Sequence, residues 1–311
     1  MRPRLKMNKN FRRDGTLKEW LFSQILMLFF RSMRRLPYNF RHRLIAALMK
    51  GPLGYITGYR KRALTNLKFI YPELSSKQLS NIADQALDNA GRTFLENMYP
   101  ADFQAHNPNI QLWGEGLEDL LKAHSDDRPI LFFSGHFGNH EAFRAALYRH
   151  GIKVGGLIRP MSNPYFDRHY QKTLLIEGKS GPVFLPGPQG TLSFYKALKR
   201  GATLVLLIDL AVPDGPSINF LGQPARTALT AATFAMKSNA LFLPYFSMRN
   251  SDAVSFNVEI GKPIKHSDAL TMTKQATKAL ELRIAKDPGN WFWIHRRWKY
   301  NSNFGKPADL N

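Results

Sequence analysis

The sequence predicts an α/β protein: a mostly parallel mixed sheet flanked by helices over residues 101–311, preceded by an all-helical, basic region over residues 1–100. Three observations carry this. From residue 129 onward, short apolar runs alternate with amphipathic segments. The runs "PILFFSG" (129–135) and "ATLVLLID" (202–209) are continuously apolar, as strands covered on both faces are. Before residue 100 only helical periodicity recurs, with no repeat or long flexible linker.

In chain order, Thr16 and Glu19 form a possible capping box ahead of "LKEWLFSQILMLFFRSMRR". The apolar core of this helix, Trp20 to Phe30, is 11 residues long and interrupted by Ser23 and Gln24. A bilayer crossing takes about 20. Arg31, Arg34 and Arg35 stand where a signal peptide would need its cleavage site. The segment therefore reads as an interfacial helix, its arginines reaching headgroups while Trp20, Phe22, Leu26, Phe29 and Phe30 enter the acyl boundary. An ordinary core helix with a basic end is the alternative. Two more basic helical segments follow, "FRHRLIAALMK" and "YRKRALTNLKFI", separated by "GPLGYITGY". A second capping box, Ser75 to Gln78, opens a long helix.

Beyond residue 128, the strand "PILFFSG" leads to a helix ending at Gly151, and "KVGGLIR" (153–159) is the next strand. A helix over 163–178, the short strand "PVFL", a helix ending at Gly201 and the strand "ATLVLLID" follow. The helix "TALTAATFAMKSN", the strands "ALFLPYFS" and "VSFNVEIG", and the helix "TKQATKALELRIAKD" complete the pattern.

Composition narrows the chemistry. The chain has no cysteine, which excludes disulfides, thiol nucleophiles and thiolate metal sites. Its formal charge is +21, of which residues 1–70, with 17 Lys/Arg against Asp14 and Glu19, carry +15. That asymmetry points to an acidic partner for the N-terminal region: an anionic bilayer, a nucleic acid or an acidic protein.

In open α/β sheets ligands bind beyond the carboxyl ends of the strands. Three polar clusters fall there: Ser134–Glu141, Arg159–Asn163 and Asp209–Asp214. In "SGHFGNHEAFR" (134–144), His136 is a candidate general base and Glu141 a carboxylate able to fix its tautomer. A hydrogen-bonded structural histidine and a helix-capping glutamate are the plain alternatives. His136, His140 and Glu141 could instead bind a metal, although their order is not that of the His-Glu-x-x-His proteases. No Gly-x-Ser-x-Gly elbow occurs, so transfer without an acyl-enzyme is the simpler route. Arg159 could hold a phosphate or stabilise developing negative charge, or form an ion pair with Asp209. Arg226 and Thr227 precede a helix, where an anionic headgroup could sit, and Asn163 joins them as a substrate-binding candidate. "NWFWIHRRWKY" could line a channel, stack bases or simply cover the sheet.

These blocks, in this order, resemble the bacterial late lipid A acyltransferases, the lauroyl/myristoyl transferases of the lysophospholipid acyltransferase superfamily. "RKRALTNLKFIYPELSSKQLSNIADQALDNAGRTFLE" is similar to the family's N-terminal signature, and "GHFGNHE" to its His-x4-Asp/Glu motif. "IRPMSNP", "LLIDLAVPDGPSINFLGQPARTALT" and "WFWIHRRWK" resemble the blocks that follow. The resemblance implies a glycerolipid-acyltransferase-like fold. It implies transfer of an acyl chain from an acyl-carrier-protein or coenzyme A thioester to a hydroxyl of a lipid A precursor or related glycolipid, without metal or other cofactor, on the cytoplasmic face of the inner membrane. Mannoside and other glycolipid acyltransferases share the His-x4-Asp/Glu motif, so a non-lipid-A acceptor is the alternative. His136 would be the base, Glu141 its partner, Arg159 and Asp209 further site residues, and Arg226 a phosphate ligand. Acyl carrier protein, an anionic bilayer and a glycolipid acceptor are the partners implied, with no nucleic acid. A basic nucleic-acid-binding protein is the competing class: it explains the charge and leaves the strand-end clusters without a role.

Overall fold

The computed structural model describes residues 15–176 and 181–304. The basic stretch 1–14 and the end of the helix expected over 163–178 lie outside the described residues.

Six helices come first: α1 (Leu17–Arg34), α2 (Tyr38–Lys50), α3 (Pro52–Ile56), α4 (Tyr59–Ile70), α5 (Ser76–Met98) and α6 (Pro100–His106). Both anticipated capping boxes form. Thr16 and Glu19 satisfy each other's free N–H groups at the start of α1, and Ser75 and Gln78 do so for α5. Phe30 and Met33 of α1, Ile45 of α2, Leu95 and Met98 of α5 and Phe166 form one apolar cluster, which ties these helices to the rest of the molecule. Among the described residues, no helix is long and apolar enough to cross a membrane.

The α/β part runs β1 (Gln111–Trp113), α7 (Leu117–Ser125), β2 (Ile130–Ser134), α8 (His140–Arg149), β3 (Gly155–Leu157), α9 (Pro164–Ile176), β4 (Val183–Phe184), α10 (Pro188–Lys199) and β5 (Thr203–Leu207). It continues with β6 (Ser217–Phe220), β7 (Gln223–Arg226), α11 (Thr230–Ser238), β8 (Leu241–Arg249), β9 (Phe256–Ile260) and α12 (Ala269–Lys286). Seven strands form one sheet in the order β1-β9-β8-β2-β5-β3-β4. All neighbours are parallel except β8 and β9. The mixed, mostly parallel sheet expected from the sequence is thus present, with helices on both faces.

Strand β2 shows why its sequence has to be continuously apolar. All five of its residues are buried, with Ile130 and Phe132 turned to the α7–α8 side and Leu131 and Phe133 to the α10–α12 side. Strand β8 divides in the same way: Leu243 and Tyr245 face α8, Phe242 and Phe246 face the opposite layer.

Two elements depart from the sequence reading. β1 is a further edge strand, and "SINFLGQPAR", taken as the approach to a helix, is a separate antiparallel hairpin of β6 and β7. Its turn places Leu221 and Gly222 at φ +52° and +81°, the left-handed pair that a two-residue hairpin demands. The Leu221 N–H donates to Glu281 Oε1 at 2.6 Å, which anchors the hairpin to α12.

Candidate active site

β2 and β5 are adjacent and parallel, with Ser134 opposite Leu207. Two residues past each strand end, His136 and Asp209 therefore arrive at the same level. Pairing continues just beyond the strands, the Ile208 N–H donating to the Ser134 carbonyl at 2.9 Å. The register delivers a close pair. His136 Nδ1 lies 2.9 Å from Asp209 Oδ1, and the His136 backbone N–H donates to Oδ2 at 2.7 Å.

The turn between β2 and α8 is shaped by two glycines. A Cβ on Gly135 would stand 2.9 Å from Asp209 Oδ2 and 2.8 Å from Leu280 Cδ2. Gly138 has φ +60°, and a Cβ there would lie 1.6 Å from the Ser247 carbonyl oxygen. The C-terminal segment crosses the same turn: Gly138 N–H donates to Asn290 O, and Phe292 N–H donates to His136 O, each at 2.9 Å. Trp291 Nε1 donates to Asp209 Oδ2 at 2.9 Å. On the other side Asn139 caps α8, accepting from the Glu141 N–H at 2.9 Å, while its Nδ2 donates to Glu96 of α5 at 2.7 Å. Arg249 holds that Glu96 carboxylate from the opposite side.

Burial alone would raise the Asp209 carboxyl, but the charge and hydrogen bonds of His136, with a contribution from His295, hold it well below the usual carboxylate range. Asp209 is therefore a permanent anion against Nδ1, leaving Nε2 of His136 as the nitrogen free to take a proton. His140 and His295 flank this pair, and burial, reinforced by the nearby His136 charge, lowers each to about 3. His140 Nδ1 shares a 2.8 Å hydrogen bond with the Tyr245 hydroxyl. The ring centroids of His136 and His295 are 4.1 Å apart, and His295 Nε2 is buried without a hydrogen-bond partner.

His136 opens onto a cavity of about 1080 Å³ between α5 and the carboxyl ends of β3 and β5. Its walls are largely apolar, including Phe94, Leu157, Ile158, Val205 and Leu206. His140, Arg144, Arg159, Tyr170 and Tyr245 add a polar side. Burial, chiefly, pushes the Tyr170 hydroxyl up to about 12.

The structure redistributes the residues expected to form the site. His136 and Asp209 meet, and Arg159 stands exposed on the cavity wall with no hydrogen bond or ion pair among the described residues. Its anticipated ion pair with Asp209 does not form, because His136 and Trp291 occupy that carboxylate. Glu141, expected on the His136 ring, is instead buried in the first turn of α8 and pairs with Arg144 at 3.2 Å. Burial raises its carboxyl and Arg144 opposes that rise. Asn163, expected to bind substrate, is the N-cap of α9. Its Oδ1 accepts from the N–H groups of Tyr165 and Phe166, and its Nδ2 donates to the Glu19 carbonyl at 2.7 Å. Thr227 is buried under Arg297, and Arg226 lies outside the cavity, donating to the Pro213 carbonyl at 2.9 Å. These side chains are engaged by the strands and turns they belong to.

Sequence reasoning missed Trp291 and His295 as site residues, although "NWFWIHRRWK" had been singled out. Trp291, Trp293 and Trp298 are fully buried in the main core, so this block covers the sheet rather than offering stacking platforms. A metal-capable group does exist among the described residues, but it is His136, Asp209 and His295, whose ligand atoms lie within 4.8 Å of one another. His140 and Glu141 are not part of it. The Asp209 oxygens already accept three hydrogen bonds.

The chain also resembles known proteins over most of its length. Residues 7–300 match the family model described as bacterial lipid A biosynthesis acyltransferase. The Lipid A biosynthesis lauroyltransferase of Escherichia coli (strain K12) is 25% identical over 296 residues, covering 90% of each chain. A Lipid A biosynthesis acyltransferase of Haemophilus influenzae is 26% identical over 264 residues, 81% of each chain. The Lipid A biosynthesis myristoyltransferase of Escherichia coli is 20% identical over 285 residues, 88% of this chain and 84% of the relative. With the family match spanning residues 7–300, the chain, whose His–Asp pair opens onto a largely apolar cavity, belongs to the bacterial lipid A biosynthesis acyltransferase family and is an acyltransferase.

Proposed function

We propose that this chain transfers a fatty acyl group from an acyl-carrier-protein or coenzyme A thioester to a hydroxyl of a lipid A precursor, at the cytoplasmic face of the inner membrane. The observation that carries this reading is the His136–Asp209 pair opening onto a large, mostly apolar cavity. Asp209 fixes the proton on Nδ1, so Nε2 of His136 removes the proton of the acceptor hydroxyl. The hydroxyl oxygen attacks the thioester carbonyl, and Arg159 faces the negative charge that develops there. The intermediate collapses to the ester and expels the thiolate, which takes the proton back from Nε2. Glu141 acts at one remove, holding Arg144 against the cavity wall. The apolar walls suit a hydrocarbon chain, and exclusion of water favours the ester over hydrolysis.

The N-terminal helix supports a membrane setting. Of the side chains expected at the acyl boundary, Trp20 and Phe22 are exposed, whereas Phe30 is buried in the helical cluster with Leu26 and Phe29 packed against it. Leu17, Leu21, Ile25 and Leu28 of α1 are exposed on one face instead, with Arg31, Arg34 and Arg35 at its end. The basic N-terminal region also suits an acidic carrier protein by charge complementarity. The test is reconstitution of the purified chain with a lipid A precursor in vesicles and either thioester. Mass spectrometry should show the precursor heavier by one acyl group. Absence of any acylated glycolipid with both donors would overturn the assignment.

A further inference from the structure

We propose that α3 and its bounding turns, residues 51–59, form a second bilayer contact, distinct from α1, that inserts between anionic lipids and fixes the orientation of the cavity. This rests on the bilayer reading above and adds a site to it.

The pattern of α3 is inside out. Ile56 is 82% exposed, Tyr55 67% and Leu53 37%, while the buried residue is Gly54. A Cβ on Gly54 would meet the Met49 carbonyl oxygen at 2.3 Å, so α3 lies hard against the end of α2 by its smallest residue. A short helix that buries glycine and presents leucine, tyrosine and isoleucine to solvent contributes little to the core. Its exposed face is the part that needs an explanation.

The shape is also fixed. The Thr57 hydroxyl donates to the Leu53 carbonyl at 2.6 Å, so this hydroxyl is satisfied within the helix. Gly58, at φ +69°, reverses the chain into α4. The Arg60 guanidinium lies 5.5 Å from the centre of the Tyr55 ring while pairing with Asp84. This gives an aromatic flanked by a cation, the arrangement that favours a membrane–water interface.

Charge selects the occupant. Residues 50–62, "KGPLGYITGYRKR", contain four cations and no acid. Lys50 and Arg60 pair with Asp88 and Asp84 of α5, and Lys61 stands exposed. They belong to the 70-residue region that carries +15. Apolar tips within a basic field match an anionic lipid surface.

The placement gives the contact a consequence. Gly54 sits against Leu87 of α5, whereas Phe30 and Met33 of α1 cluster with Leu95 and Met98 of the same helix. Those positions on α5 are about 12 Å apart along its axis. Another face of α5, through Ala90, Thr93, Phe94 and Asn97, lines the cavity. Two lipid contacts on one rigid helix would therefore set the cavity's orientation to the membrane, where one contact would leave it free to swing.

Because the chain has no cysteine, a single reporter can be placed cleanly. Ile56→Cys carries a polarity-sensitive dye, and Lys274→Cys, exposed on α12, is the control. Each full-length protein is mixed with phosphatidylglycerol/phosphatidylethanolamine vesicles, or with phosphatidylcholine vesicles, and flotation is followed in parallel. The dye at 56 should shift to the blue and brighten several-fold on the anionic vesicles, less on the neutral ones, while the dye at 274 stays water-like. A water-like dye at 56 on protein that floats would overturn the second contact and leave the bilayer reading standing on α1. Failure of the unlabelled protein to float would remove both. A shift at 56 without lipid, rising with protein concentration, would assign the face to a second copy and overturn the proposal as well.

Discussion

The strand-end turn at 134–141 and the helices α1–α3 treat water in opposite ways. The turn buries polar groups among apolar ones: Asp209, Asn139, Glu141 and Trp291 are all nearly inaccessible, and the first of these is held by three hydrogen bonds. α1 and α3 do the reverse. Among the described residues, most of the large apolar side chains left in solvent lie between Leu17 and Ile56. A buried polar group must find a partner or lose its hydration for nothing, so the turn is over-determined by hydrogen bonds and close glycine contacts. An exposed apolar group carries no such geometric demand, and its partner has only to be greasy. Chemistry and location are thus held by two different kinds of force, and substitutions should separate them.

The largest effect is expected from His136→Ala, which should lower turnover by about 10³-fold or more while the protein still folds and binds vesicles. Turnover near normal would break the distinction at its centre by removing the base. Asp209→Asn should cost about 10²–10⁴-fold in turnover, since the ring loses its anion and its preferred tautomer. It should also change acid stability in a defined direction. The folded-state Asp209 carboxyl is held below its unfolded value, so its stabilisation is present above an unfolded pKa of about 3.9 and is lost as pH falls through the folded value. Denaturation followed against pH should show a flatter acid limb in the Asn variant. An unchanged acid limb would mean that the pair contributes nothing to folding.

Gly138→Ala is next. A methyl group placed 1.6 Å from a backbone oxygen at φ +60° forces the turn to move, and a loss of about 2–4 kcal/mol is expected in urea unfolding. The smallest effect belongs to Asn163→Ala, which removes the cap of α9 and its tie to Glu19. About 1 kcal/mol of stability should go, with the turnover of the folded protein unchanged. A fall in turnover at full stability would return Asn163 to the site.

The sequence displayed one region more plainly than the other. β2, β5 and β8 were legible because burial on both faces demands continuous apolar runs, and both capping boxes were legible because they are local. The β6–β7 hairpin was not: Gln223–Arg226 contains Pro224 and lacks β-branched residues, and its turn is marked by only one glycine. Within the site, His136 and Asp209 could be nominated separately as strand-end residues. Their contact depends on the register of two strands whose residues are 73 positions apart in sequence, which no local pattern encodes. Glu141, five residues after His136, was the nearer candidate, but Asp209 is the carboxylate that reaches Nδ1. The role of Asn163 was legible in retrospect: an asparagine directly before the proline that opens a helix is a cap signal. His295 and Trp291 were obscured because aromatic and basic residues in one block suit a surface as well as a core.

The alignment of His136 with Asp209 across the β2–β5 ladder also limits how the gene can change. Deleting one residue from either strand would shift its end by ~3.3 Å and turn the next side chain to the other face, separating the pair at a stroke. Insertions in the loops between the two strands leave the β2–β5 ladder untouched. Length changes in the loops that join α8, β3, α9, β4 and α10 would therefore reshape the walls of the cavity while the pair keeps its place, provided β3 stays in register with β5.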